Sequence, residues 1–166
     1  ALAMDAQTNL YMAGYFSGTA LFTNGIYGTN ISIVSTGLTD IFVAKYNTAG
    51  KLLWAKSAGG PREEAAQSLA IDPAGNVLLT GYFRSIQASF GSLVVTNQSN
   101  DFIGDIFVAK YDPEGNPLWA KRAGGLGWDM GRSIATDAEG NAYITGFCYW
   151  LATFGNITLT NGSSNF

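Results

Sequence analysis

Residues 40–60 read DIFVAKYNTAGKLLWAKSAGG, and 65 residues further on, residues 105–125 read DIFVAKYDPEGNPLWAKRAGG. A repeat of that length constrains the fold more than any single residue can. Each copy is a supersecondary unit whose apolar faces are buried only by stacking on its neighbours. The text between the copies repeats as well. Leu2-Ala3-Met4-Asp5 matches residues 69–72 and 134–137, and residues 9–16 match 76–83 and 141–148. The chain divides into units at roughly 1–67, 68–132 and 133–166, the last stopping where its DIFVAKY stretch would begin.

Each complete unit offers four strands, a to d, which in the second unit are residues 68–72, 76–83, 105–111 and 117–122. Val, Ile, Phe, Tyr and Trp dominate them, as a pleated and half-buried surface prefers. Val77-Leu78-Leu79 and Ile106-Phe107-Val108 are apolar on both faces, so each sheet is covered on both sides. Asp72-Pro73-Ala74-Gly75 and Asp112-Pro113-Glu114-Gly115 carry the Asp, Pro and Gly of a type I turn with a bulge, and Asp137 to Gly140 is the same device without Pro. These six residues, Asp72, Gly75, Asp112, Gly115, Asp137 and Gly140, are read as structural. The first unit has Thr8 where the Gly belongs, which predicts a looser or differently shaped turn.

The a–b and c–d turns share one end of the sheet. The variable b–c segments (17–39, 84–104 and 149–166) and the inter-unit loops (58–67 and 123–132) fall at the other end, which is expected to be long, elaborated and the seat of any binding.

Composition narrows the choices. Charged residues are 13% of the chain and the net charge of −3 forms no basic stripe, so nucleic acid is not an expected partner. No apolar run reaches the ~18 residues of a membrane span. Cys148 is the lone cysteine and there is no His, which removes a disulfide, a cysteine metal site and the commonest general base. The glycines of residues 124–131 lack the Lys-Ser/Thr ending of a phosphate loop. No cofactor and no metal are expected.

Asp-Ile-Phe-Val-Ala-Lys-Tyr, the Asp-x-x-Gly turn, Leu-Trp-Ala-Lys, Ala-Gly-Gly and Gly-Asn-x-Tyr-x-Thr-Gly resemble the bacterial β-propeller repeat known as SBBP. The resemblance covers nearly all of the chain. It implies an all-β, propeller-like array of four-stranded antiparallel blades, in secreted or surface proteins, without implying a common activity. A weaker likeness to tryptophan-docking propellers assigns Trp54 and Trp119 to packing between blades. Propellers close with roughly 4 to 8 blades, so two and a half units read as a fragment of a longer chain or as part of an assembly of copies.

The stretches that do not repeat hold the candidate ligand residues. Trp128, Asp129 and Arg132 cluster in an inter-unit loop, as a ligand contact or a blade lock. Tyr149 and Trp150 have no aromatic counterpart in the other units. The loop aromatics Tyr27 and Phe102 suit recognition too, whereas the recurring Phe22, Phe90 and Phe154 are read as pinning loops to their blades. Asp40 and Asp105 either bond loop amides or help hold Ca²⁺. Cys148 takes a core position as an inert thiol. Four Asn-x-Ser/Thr patterns, at Asn30, Asn97, Asn156 and Asn161, lie in the long loops.

The function expected is a non-catalytic scaffold or interaction module at the cell surface or outside the cell. It would self-assemble through open blade edges, with further blades or other copies as partners. The alternative is a propeller that binds a glycan or a surface protein through its long loops.

Overall fold

The computed structural model describes residues 1–24, 28–98 and 103–160. Its described elements are all strands: β1 (Leu2–Met4), β2 (Leu10–Phe16), β3 (Thr19–Phe22), β4 (Ile31–Val34), β5 (Asp40–Tyr46), β6 (Leu52–Ala58), β7 (Glu64–Ile71), β8 (Val77–Phe83), β9 (Gln87–Phe90), β10 (Leu93–Thr96), β11 (Asp105–Tyr111), β12 (Pro117–Gly125), β13 (Asp129–Thr136), β14 (Ala142–Cys148), β15 (Leu151–Phe154) and β16 (Ile157–Thr160). Tyr27, Phe102 and the Asn161 pattern lie outside the described residues.

Two blades form as the repeat requires. The first is β1-β2-β5-β6 and the second β7-β8-β11-β12, all antiparallel, while β13 and β14 pair as the a and b strands of a third. Strands b and c keep one register in both blades: Asp40 faces Phe16 and Tyr46 faces Leu10, as Asp105 faces Phe83 and Tyr111 faces Val77. An aromatic and apolar core lies between the first two blades, with Tyr11, Ile41, Val43, Leu79, Phe83, Phe107 and Tyr111 buried in it. Each such side chain contributes about 1.5–3 kcal/mol through burial. A second core of Leu78, Ile106, Val108 and Ile134 joins blade two to the third unit.

The a strands are longer than expected, starting at Glu64 and Asp129, and β12 runs on to Gly125. The inter-unit links are accordingly short, residues 59–63 and 126–128, not long loops. Bulges at Ala66/Ser68 and Gly131/Ser133 bend strand a against strand b. Close approach at the bulge explains Gly81, where a Cβ would collide with the Ala65 carbonyl.

Each b–c segment carries a further two-stranded hairpin, β3–β4, β9–β10 or β15–β16. The last two cross to the preceding blade. β15 pairs with the end of β12, and Ser89 of β9 exchanges two hydrogen bonds with Gly59 just beyond β6.

The Asp turns form as the residues dictate. Asp72 accepts from the amides of Ala74 and Asn76 and from the Asn76 side chain, with Gly75 at φ +82°. Asp112 and Gly115, and Asp137 and Gly140, repeat this network. The first turn is not looser. Asp5 accepts from Gln7, Asn9 and the Asn9 side chain in the same way, and Thr8 takes φ +61° in place of glycine. The Asp–Asn network forces a β-branched residue into a conformation it disfavours.

Candidate functional site

Two junctions between units meet at the loop-bearing end of the sheets. At the first, strand β5 begins with Asp40 and strand β7 with Glu64, both with under 2% of their surface exposed. The Gly60 and Ser85 amides donate to the two oxygens of Glu64, at 2.8 and 3.0 Å. Thr36 donates its amide and its hydroxyl to Asp40 Oδ2, at 2.9 and 3.0 Å. The second junction repeats the plan one unit on. Asp129 accepts from the Gly125 and Tyr149 amides at 2.7 and 3.1 Å, while Asp105 Oδ2 accepts from the Gln98 amide and Arg122 Nη1, each at 3.0 Å. Asp40 and Asp105 thus bond loop amides, one of the two roles expected of them.

Burial sets the electrostatics here. Desolvation pushes the Glu64, Asp105 and Asp129 carboxyls above the ordinary range, and their hydrogen bonds offset only part of it. The neighbouring acid adds to the rise, Asp40 at Glu64 and Asp105 at Asp129. The turn end behaves oppositely. Desolvation would raise Asp5, Asp72 and Asp112, but hydrogen bonds outweigh it and hold all three below the ordinary range, chiefly from their own turns at Asp5 and Asp112 and from Lys110 ahead of the turn at Asp72.

The five candidate ligand residues do not form one cluster. Trp128 packs on the second unit, its ring 5.4 Å from that of Tyr82 and beneath the Arg84 guanidinium, which pairs with Glu63 at 2.7 Å. Asp129 is buried in the junction. Arg132 is exposed and lies over the Phe147 ring at 5.4 Å. Tyr149 and Trp150 stand exposed just after β14, with Trp150 at φ +64° and 62% exposed. The equivalent of Tyr149 is Ser85, since each donates its amide to the acid that opens strand a, so Trp150 corresponds to Ile86.

Beside Trp150 lies an open groove of about 750 Å³, lined by Ile106, Ile144, Phe147, Phe154, Ile157 and Leu159 among others. Among the described residues β14 pairs only with β13, so its other edge faces this groove. In the two complete blades that edge carries strand c. There Phe22 and Phe90 pack on Phe42 and Phe107 of their own c strands, whereas Phe154 is partly exposed in the groove.

The remaining expectations fall out simply. Trp54 of blade one donates Nε1 to the Pro113 carbonyl of blade two at 3.0 Å, and Trp119 packs against the core shared with the third unit. Asn97 is buried and donates to the Phe83 and Ile103 carbonyls, so its Asn-x-Ser pattern offers no surface for a glycan. Desolvation and the adjacent Asp129 push the Cys148 thiol up to about 12. Among the described residues no three His, Cys, Asp or Glu side chains group as metal ligands, and no helix is long and apolar enough to cross a membrane. Sequence reading missed the pairing of Asp40 with Glu64 and of Asp105 with Asp129. The available signal was an acid recurring at the start of both strand a and strand c.

The sequence profile of the SBBP family, described as Beta-propeller repeat, matches residues 118–146, which run from strand d of one blade to strand b of the next. An uncharacterised WD repeat-containing protein of Acanthamoeba polyphaga mimivirus is 27% identical over 152 residues, covering 87% of this chain and 11% of the relative. The Regulatory protein FlaEY of Caulobacter vibrioides is 31% identical over 110 residues, covering 66% of this chain and 12% of the relative. The chain spans about a tenth of the length of these curated relatives.

Proposed function

We propose, on the premise that this chain carries SBBP β-propeller repeats, that it is a non-catalytic interaction module whose contact surface is the open edge of β14 and the groove beside it. Its setting is the cell surface or the outside of the cell. The observation that carries this is the edge of β14, unpaired among the described residues and flanked by Ile144, Phe147, Phe154, Ile157 and Leu159. An apolar strand edge templates a further strand.

The occupant is a c-type strand with the pattern Asp-Ile-Phe-Val-Ala-Lys-Tyr, supplied by a further blade of the same kind. Two internal precedents support it. Strand c adds to strand b in one register in both complete blades. Its Lys reaches back to the acid of the a–b turn, Lys110 to Asp72 at 2.7 Å and Lys45 to Asp5 at 3.9 Å. Asp137 is the matching acid in the third unit.

A labelled peptide of residues 105–125 should bind this chain, and a scrambled peptide should not. Ile144→Lys should abolish the binding and Asp137→Ala should weaken it. Equal binding of the scrambled peptide would remove the proposal. Light scattering on the chain without peptide separates this from self-assembly, which would give oligomers whose size falls with Ile144→Lys.

A second reading, glycan recognition, is favoured by Trp150 alone, an exposed aromatic held at positive φ. Glycan-array binding that disappears in Trp150→Ala would support it, and a blank array would end it.

A further inference from the structure

The two junction carboxylate pairs share an anomaly that the interaction surface does not use. Asp40 Oδ1 and Asp105 Oδ1 are buried without a hydrogen-bond partner among the described residues, although Oδ2 of each carboxylate is engaged. In each pair the orphan oxygen and an oxygen of the facing acid flank the same glycine. A Cβ placed on Gly59 would lie 2.7 Å from Asp40 Oδ1 and 3.0 Å from Glu64 Oε2. One placed on Gly124 would lie 2.5 Å from Asp105 Oδ1 and 2.7 Å from Asp129 Oδ2. The same arrangement, built twice from strands of different blades, belongs to the design of the junction.

Two facing carboxylates at this depth each disfavour the other's charge, and water is excluded. A buried polar atom also needs a partner. One proton answers both demands. We infer that each junction holds a single proton, carried by Glu64 at the first and by Asp129 at the second and shared with the orphan Oδ1 of the facing carboxylate. The upward push that burial gives Glu64, Asp105 and Asp129 agrees with this. The other ionisable groups at the first junction are Arg62, the Glu63–Arg84 ion pair and the Tyr82 phenol. At the second they are Arg122, bonded to Asp105, and the Cys148 thiol beside Asp129.

The shared proton makes the contact between blades sensitive to pH. Carboxyls raised above their unfolded values stabilise the fold at mildly acid pH, and the contribution is lost as pH rises through the raised values. Above that point two like charges face each other where one blade hands over to the next. The device would loosen the junctions, and the hairpins β9–β10 and β15–β16 that cross them, as pH rises through the raised values.

Carboxyl-carbon NMR of the unaltered chain tests the inference. Glu64 and Asp129 should titrate above the ordinary carboxylate range of about 4, and midpoints at or below it would overturn the proton. Asp40→Asn supplies the second readout. Its side-chain oxygen can still accept from Thr36, and its amide takes the orphan position as a permanent donor. The variant should melt about 2–4 °C higher than the parent at pH 7.5 and no higher at pH 5. A variant that melts lower at both pH values would show that the carboxylate charge is needed, and would overturn the inference. So would millimolar Ca²⁺ raising the melting point at pH 7.5 in the parent but not in Asp40→Asn, since a cation would then fill the site.

Discussion

The two ends of each blade use the same side chain in opposite ways. At the turn end, Asp5, Asp72 and Asp112 face into their own turns and bond amides two and four residues on. Their charge is held, and these amide contacts are local, with a Lys of strand c added at Asp72 and Asp5. At the other end, Glu64 and Asp129 each bond one amide four residues back and a second one 20 or 21 residues on, Asp40 and Asp105 bond loop amides four and seven residues back, and each acid faces another acid. Local satisfaction makes a turn that folds alone. Distributed satisfaction makes a joint that exists only when two blades have met.

Glycine substitutions should separate the ends most sharply. Gly124→Ala would drive a methyl between Asp105 and Asp129, at φ +142°, and should destabilise by about 3 kcal/mol or more in denaturant unfolding. Gly50→Ala meets nothing within 4 Å at the turn end, so only the positive φ counts, costing about 1–2 kcal/mol. Equal effects would erase the distinction between local and distributed ends.

Next in size is Asp72→Ala, which removes three turn hydrogen bonds and leaves the partly buried Lys110 without its acid. A loss of about 2–3 kcal/mol is expected at pH 7. The Asp72 carboxyl is held below its unfolded value, so this contribution is present above the unfolded value and is lost as pH falls through the lowered one. The gap between parent and variant should therefore close in acid, and a gap unchanged at pH ~2 would contradict the local assignment. Asp112→Ala, at an exposed turn of the same design, should cost about 1 kcal/mol.

The smallest effect has the opposite sign. Thr8→Gly relieves a β-branched residue at φ +61° and should stabilise by about 0.5–1 kcal/mol in thermal unfolding. No gain would mean that the first turn differs from its counterparts after all.

The blades were legible because DIFVAKY, the Asp-x-x-Gly turns and the LWAK strands are local signals that recur. Strands of four residues such as Thr19–Phe22 and Gln87–Phe90 are too short to declare a period, so the crossing hairpins were hidden in segments that read as loops. The acid pairs were hidden differently. Glu64 and Asp40 lie 24 residues apart and look like isolated polar strand ends until the fold sets them across Gly59. The Asp5 turn misled because one residue, Thr8, was weighed above the Asp5–Asn9 network that overrides it.

The crossing hairpins also fix a timetable. The end of β12 is covered by β15, so the outer edge of the second blade is completed by sequence that leaves the ribosome some 30 residues later, a delay on the order of seconds. During synthesis each finished blade waits with a bare rim for its successor, like a roof tile laid before the next course. Protection against edge-to-edge sticking therefore travels backwards along the chain, and the rim most exposed at any moment belongs to the newest blade.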